Sequence, residues 1–307
     1  MTPKTILFGG SGFLGPSILE RYPEVISVGR SPLPDYIKNK HVPIQDVGDL
    51  SALDNLEFDK VIFLIGNSEH HKINKHPTMG LDYNVMPLKK ALYYFQNRDL
   101  KKLVCFSTVL VYDATKFTLP ASESQPVNPY VNDYVFSKVM LEETAKFYST
   151  KVPIITIRLT NIYGPTKLIR PDLITNLIQQ ALSPNETSVA TTEVVRDFIF
   201  TYDAADAIVK LLDTDYTGTV NVGTGVGTSI ADVVRIIENI SGKKIKVRNE
   251  PPRGHLKYYS DISLLQRLTG WKPQYAIEEG IKTTYDRMKE WADECRWWEN
   301  PEFGKTH

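Results

Sequence analysis

Cysteine is scarce in this chain. Cys105 and Cys295 are the only two in 307 residues, too few for a disulfide framework and in keeping with a reducing, cytoplasmic setting. Net charge is absent as well: 36 Lys and Arg balance 36 Asp and Glu. No field of one sign draws in nucleic acid or an anionic membrane, although a small anionic ligand needs only a few placed arginines. No apolar run approaches the ~18 residues of a membrane-spanning helix. The first strand starts at about residue 4, which leaves no room for a signal peptide. Internal repeats and low-complexity linkers are missing too. His70, His71 and His76 crowd the stretch "NSEHHKINKH" without an acidic or cysteine partner set, so no metal site is expected.

Short apolar runs stopped by glycine or turn residues are plentiful. "KTILFGG", "EVISVGR", "DKVIFLIG", "KKLVCFSTVLVY" and "VPIITIRLTNIYG" each read as a buried parallel strand. Between them lie helical patterns such as "NVMPLKKALYYFQ" and "DYVFSKVMLEETAKFY". Strands alternating with helices predict an α/β fold, a doubly wound parallel sheet of Rossmann type over residues 1–165. Residues 166–307 are expected mainly to form a smaller α/β substrate-binding domain, with a return to the sheet near 197–224. In that half "TKLIRPDLITNLIQQAL" reads as helical, and "SIADVVRIIENISGKKIKV" as a helix followed by a strand.

The first strand runs into "LFGGSGFLGP", which sets Gly9, Gly12 and Gly15 three apart before a helix, with Pro16 suited to its first turn. A pyrophosphate must approach backbone N–H groups at such a junction, and a Cβ at the contact glycines would block it. Dinucleotide binding is therefore expected. The second strand ends in Gly29 and Arg30, where a carboxylate would hold a ribose 2′-hydroxyl. A guanidinium there leans toward a 2′-phosphate, hence NADP over NAD, unless Arg30 merely points to solvent. Asp46 is a candidate acceptor for the adenine amino group.

Tyr134 precedes Lys138 by four residues on a predicted helix, which puts both heads on one face. Spacing alone is weak. The same pattern occurs at Tyr36/Lys40, Tyr112/Lys116, Tyr163/Lys167 and Tyr285/Lys289.

Taken in order, the glycine loop, "FSTVLVY", "YVFSK", "RLTNIYGP", "RDFIFTYDAADAI" and "NVGTG" resemble the extended short-chain dehydrogenase/reductases, and within them the NAD-dependent epimerase/dehydratase family. The resemblance implies a catalytic set of Thr108, Tyr134 and Lys138. It implies cofactor contacts from Gly9, Gly12, Phe13, Leu14, Gly15, Arg30, Asp46, Val47, Tyr134 and Lys138. It implies a nucleotide-diphosphate sugar held by Thr108, Asn161, Arg196 and Arg253, and a homodimer. In that chemistry a neighbouring ammonium and the positive nicotinamide ring bring the tyrosine toward the working pH, so that it takes a hydroxyl proton while hydride leaves the carbon. The histidine loop after "VIFLIG" is placed to touch substrate near the nicotinamide.

Departures narrow the reaction. Where 4,6-dehydratases of the group carry Asp and Glu after the hydroxyl residue, this chain has Val109 and Leu110, which move no protons. Leu110 also fills the place of the cysteine that deoxysugar epimerase-reductases use. What remains is hydride transfer at one carbon, C4 by resemblance, as a 4-epimerase or a net 4-dehydrogenase or 4-ketoreductase. A small-carbonyl reductase and a non-catalytic nicotinamide sensor on the same fold stay open as alternatives.

Overall fold

Leu7 points to one side of a parallel sheet while Ile6 and Phe8 point to the other, and this alternation recurs strand by strand. The computed structural model describes residues 4–76, 78–116, 118–252, 256–301 and 303. Its strands are β1 (Thr5–Phe8), β2 (Ile26–Gly29), β3 (His41–Pro43), β4 (Lys60–Phe63), β5 (Lys102–Thr108), β6 (Ile154–Leu159), β7 (Asn161–Tyr163), β8 (Thr187–Val189), β9 (Val195–Phe200), β10 (Gly218–Val222), β11 (Gly227–Ser229) and β12 (Ile245–Val247). Its helices are α1 (Gly15–Arg21), α2 (His70–Ile73), α3 (Met86–Phe95), α4 (Asp133–Tyr148), α5 (Leu173–Leu182), α6 (Thr201–Leu212), α7 (Ile230–Ser241), α8 (Ser263–Thr269) and α9 (Ile277–Cys295).

Seven strands form one sheet in the order β10-β6-β5-β4-β1-β2-β3, and every pairing in it is parallel. Leu7, Ile62, Val104, Ile155 and Val220 face α1, α6 and α8. Ile6, Phe8, Val61, Phe63, Leu103 and Cys105 face α3 and α4. Burying both faces explains why these strands read as unbroken apolar runs rather than as alternation with polar residues. The chain order reverses direction between β1 and β4, the switch point at which such sheets open a crevice beyond their strand ends.

A third core joins α5, α7, α9 and β8 through Leu177, Ile178, Val189, Ile237, Ile281 and Met288. It is tied back to the sheet domain by Glu20 of α1, which pairs with Arg287 of α9, and by Tyr36 stacked on Trp291 with ring centres 5.1 Å apart. The return to the main sheet differs in detail from expectation. β10 and α6 belong there, but β9 pairs with β7 and β11 in a separate three-stranded sheet, and α8 packs on the main sheet through Leu265. The helix read across 166–182 starts only at Leu173, because Pro171 offers no N–H and forces Arg170 out of helical geometry. The apolar stripe of α4 faces inward: Val135 and Leu141 are buried in the chain's own cores. Among the described residues no helix is long and apolar enough to cross a membrane.

Candidate functional site

A cavity of about 710 Å³ opens at the switch point. Its walls come from the glycine loop after β1, the segment after β4, the end of β5, α2, the first turns of α4, the β6–β7 junction and the loop before α5. A cavity of this size takes a ligand well beyond a single small carbonyl compound.

The glycine loop is built for close approach. Gly9 adopts φ of 87°, open to glycine at little cost, and its carbonyl accepts from Gly12 N at 3.0 Å. A Cβ on Gly15 would sit 2.5 Å from that same carbonyl, so only glycine lets α1 start hard against the loop. No side chain caps the start of α1 and its first turn holds no acidic residue, which leaves its N–H groups for an outside acceptor. Gly9, Gly12, Phe13 and Leu14 line the cavity, whereas Gly15 shapes the turn from behind. These residues fit a dinucleotide pyrophosphate.

Beyond the loop the adenosine-end candidates lie outside the cavity lining. Arg30 is exposed directly after β2, whose Val28 carbonyl accepts from Gly9 N at 3.4 Å. The Asp46 carboxylate is already engaged, by Lys90 Nζ at 3.0 Å and Gly48 N at 2.6 Å. Val47 packs at the margin of the core beneath α3.

Three of the expected residues come together. Asn132 caps α4 by accepting from Val135 N at 3.0 Å, which fixes where the helix begins. Tyr134 and Lys138 thereby present to the same cavity from successive turns, only 4% and 7% exposed. Thr108 faces them from the end of β5, and its hydroxyl oxygen accepts from Leu110 N at 3.3 Å. Lys138 donates to the Phe106 carbonyl at 3.0 Å, with Nζ 5.9 Å from the centre of the Tyr134 ring.

Burial governs the electrostatics of the pair in the chain by itself. Burial pushes the Tyr134 phenol up to about 12, with hydrogen bonding to Thr108 and the charge of Arg170 working the other way. Burial likewise brings the Lys138 ammonium down to about 8. In the chain by itself desolvation outweighs charge at both groups, so any phenolate-favouring charge must arrive with a bound ligand.

On the far side, Asn161 lines the cavity and its amide donates to the Asp197 carbonyl at 3.3 Å. Arg196 lies outside the lining. It shares a face of β9 with Phe198, which does line the cavity, and it donates to the Val195 carbonyl at 3.0 Å. Arg253 lies outside the described residues. Among the described residues the guanidinium that does reach the cavity is Arg170, which periodicity alone does not single out. It stands 4.4 Å from the centre of the Phe13 ring and donates through Nε to Asp172 at 3.0 Å. Pro171 is the signal that marks this stretch as loop. His70 and His71 also line the cavity.

Comparison with known proteins gives the family and the fold. The model of the NAD dependent epimerase/dehydratase family matches residues 5–223. A UDP-glucose 4-epimerase of Cyamopsis tetragonoloba is 27% identical over 286 residues, covering 84% of this chain and 79% of that protein. The structure of TunA, an NAD dependent NDP-hexosamine 5,6-dehydratase of tunicamycin biosynthesis, superposes with a TM-score of 0.81 at 27% identity over 94% of this chain and 98% of that one. MoeE5, solved with UDP-glucuronic acid and NAD, shares the fold with a TM-score of 0.82 at 20% identity, covering 94% and 99% of the two chains.

Proposed function

Because the chain belongs to the NAD dependent epimerase/dehydratase family, we propose that it moves hydride at C4 of a nucleotide-diphosphate sugar. The observation that carries this reading is the convergence of Thr108, Tyr134 and Lys138 on one cavity that also contains the glycine loop. A nicotinamide dinucleotide, when bound, supplies the hydride acceptor and a positive ring. The glycine loop with Phe13 and Leu14 holds its pyrophosphate, and Lys138 steadies its ribose.

Tyr134 takes the proton of the sugar hydroxyl as the carbon is oxidised, and gives it back when the ketone is reduced. Thr108 aligns that hydroxyl. A phenol near 12 is a poor base, so the residue works only once positive charge is close, which confines the reaction to the fully loaded site. Asn161 and Arg196 receive the sugar nucleotide's pyrophosphate toward the smaller domain, and the sequence offers Arg253 as a second guanidinium for its oxygens. Their grip serves mainly to place the hexose. Val109 and Leu110 beside Thr108 supply no acid or base, which favours simple hydride transfer over dehydration.

Return of hydride to either face gives a 4-epimerase, and release of the reduced or oxidised nucleotide gives a net 4-dehydrogenase or 4-ketoreductase. Arg30 favours NADP at the adenosine end. Denaturing the purified protein and identifying the released nucleotide by mass separates these cases. Tightly held NAD supports an internally recycled cofactor and an epimerase. An empty protein that takes up NADPH supports a net reductase with Arg30 as phosphate ligand. A protein that binds neither nucleotide contradicts the proposal.

A further inference from the structure

The mechanism so far gives His70 no task, yet the short helix α2 and its C-cap residue Asn74 meet Tyr134 in three ways. The Asn74 side-chain oxygen accepts the Tyr134 backbone N–H at 3.1 Å. Ile73, fully buried, packs in one cluster with Val111, Tyr134 and Val135. Most directly, the His70 ring lies face to face with the phenol, ring centres 3.9 Å apart and planes 25° apart. His70 itself opens to the cavity, while the phenol beneath it is 4% exposed. The imidazole therefore covers one face of the tyrosine ring while both residues line the cavity.

We propose that His70 is a positioning residue, a flat platform that fixes the plane of the Tyr134 ring and keeps water from its face. The inference rests on the reading of Tyr134 as the proton carrier. A tyrosine side chain swings about two torsions, and a contact at the hydroxyl restrains only its tip. Stacking restrains the ring itself, and small misplacements of a reacting group are costly in rate. The platform is uncharged. The surrounding protein, then the Lys138 ammonium and His71, hold the imidazole below its ordinary value. Charged and titratable groups facing the pair are Lys138 from α4, His71 from α2 and Arg170 from the loop before α5, and each disfavours a second positive charge. A neutral platform needs a ring and no nitrogen.

That requirement sets the test. His70→Phe keeps a ring without nitrogens, His70→Asn keeps a polar group without a ring, and His70→Ala keeps neither. Each full-length variant is labelled with tyrosine carrying 13C at Cζ, and the Tyr134 signal is assigned by its loss in Tyr134→Phe. The signal is followed from about pH 7 to 11, a range that spans the ordinary tyrosine value of ~10. Burial is the largest influence raising this phenol, so uncovering its face lowers the midpoint. In wild type and His70→Phe the signal holds its position across the range. In His70→Ala and His70→Asn it starts elsewhere and titrates within it. With a substrate in hand, His70→Phe retains kcat within about threefold, while the other two lose roughly 10–100-fold at unchanged KM.

An unmoved Tyr134 signal in His70→Ala overturns the proposal. So does recovery by Asn but not by Phe, which would assign the role to a ring nitrogen. Should His70→Ala fail to fold, the Phe and Asn variants decide the matter alone. The signal needs no turnover, so the two readings fail separately. A wild type inert toward every nucleotide sugar but showing the expected shifts keeps the stack and removes the reaction.

Discussion

The Arg170 guanidinium stands over the Phe13 ring, 4.4 Å from its centre, and so links the loop before α5 to the glycine loop of the sheet domain. Its Nε holds Asp172, and the cluster closes one end of the cavity across the two halves of the chain. Arg170→Ala removes the cation from the aromatic face and leaves a half-buried carboxylate without its partner. Affinity for the nicotinamide nucleotide and the KM for the sugar nucleotide are both expected to worsen, by about tenfold, or ~1.4 kcal/mol. Titration calorimetry and initial rates check this, and unchanged constants would make Arg170 a surface latch only.

Lys138 lowers stability in return for its place. Burial brings its ammonium from 10.5 down to about 8, so the folded chain holds that proton less tightly than the unfolded chain. Stability is therefore lost as pH falls from the ordinary lysine value toward about 8, and below that the deficit is constant at roughly 3 kcal/mol. Lys138→Met removes the deficit. At pH 7 the variant is expected to melt higher than wild type while being inactive, with the difference closing above the ordinary lysine value. A lower melting temperature at pH 7 would contradict this.

Arg158 and Glu142 form an ion pair with both side chains largely buried, Arg158 donating through Nε at 3.0 Å and Nη2 at 2.8 Å. The guanidinium also lies 4.8 Å from the centre of the Tyr112 ring. Glu142→Ala strands the guanidinium and is expected to cost about 3–5 kcal/mol in denaturant unfolding. A loss under ~1 kcal/mol would mean that water or Tyr112 suffices to hold the charge.

Much of the main sheet was legible because buried strands write themselves as short apolar runs, and the glycine loop because a backbone approach tolerates no Cβ. Tyr134 could be separated from four other Tyr-x-x-x-Lys pairs only by the order of the motifs around it. Pairings between distant segments left no such mark. The ion pair of Asp46 with Lys90, 44 residues away, is one of them. His70 was visible as a histidine in a polar loop, but nothing local announces that it stacks on Tyr134. Arg170 is hidden because the apolar periodicity of α5 continues on both sides of Pro171, although the helix starts only at Leu173. The burial that raises the Tyr134 phenol and lowers the Lys138 ammonium is likewise not displayed by a linear sequence.

The dimer expectation transfers to a different face of α4. With Val135 and Leu141 turned inward, the exposed large apolar residues are Phe136 and Phe147 on α4 and Met86 and Tyr93 on the neighbouring α3, at 38%, 76%, 43% and 67% exposure. Wild type is expected to sediment as a dimer and Phe147→Asp as a monomer. A wild-type monomer would remove the expectation.

The most direct test of Tyr134-dependent chemistry at C4 uses UDP-hexoses carrying deuterium at C4. Wild type and Tyr134→Phe are each incubated with substrate and nicotinamide nucleotide, and the label is followed by NMR. Wild type is predicted to return the deuterium to C4 of the inverted sugar or to pass it to the nucleotide, and Tyr134→Phe to bind both ligands while turning over at least about 10³-fold more slowly. Retention of wild-type rate by Tyr134→Phe, or exchange at C3 or C5 with the C4 label untouched, would contradict the account.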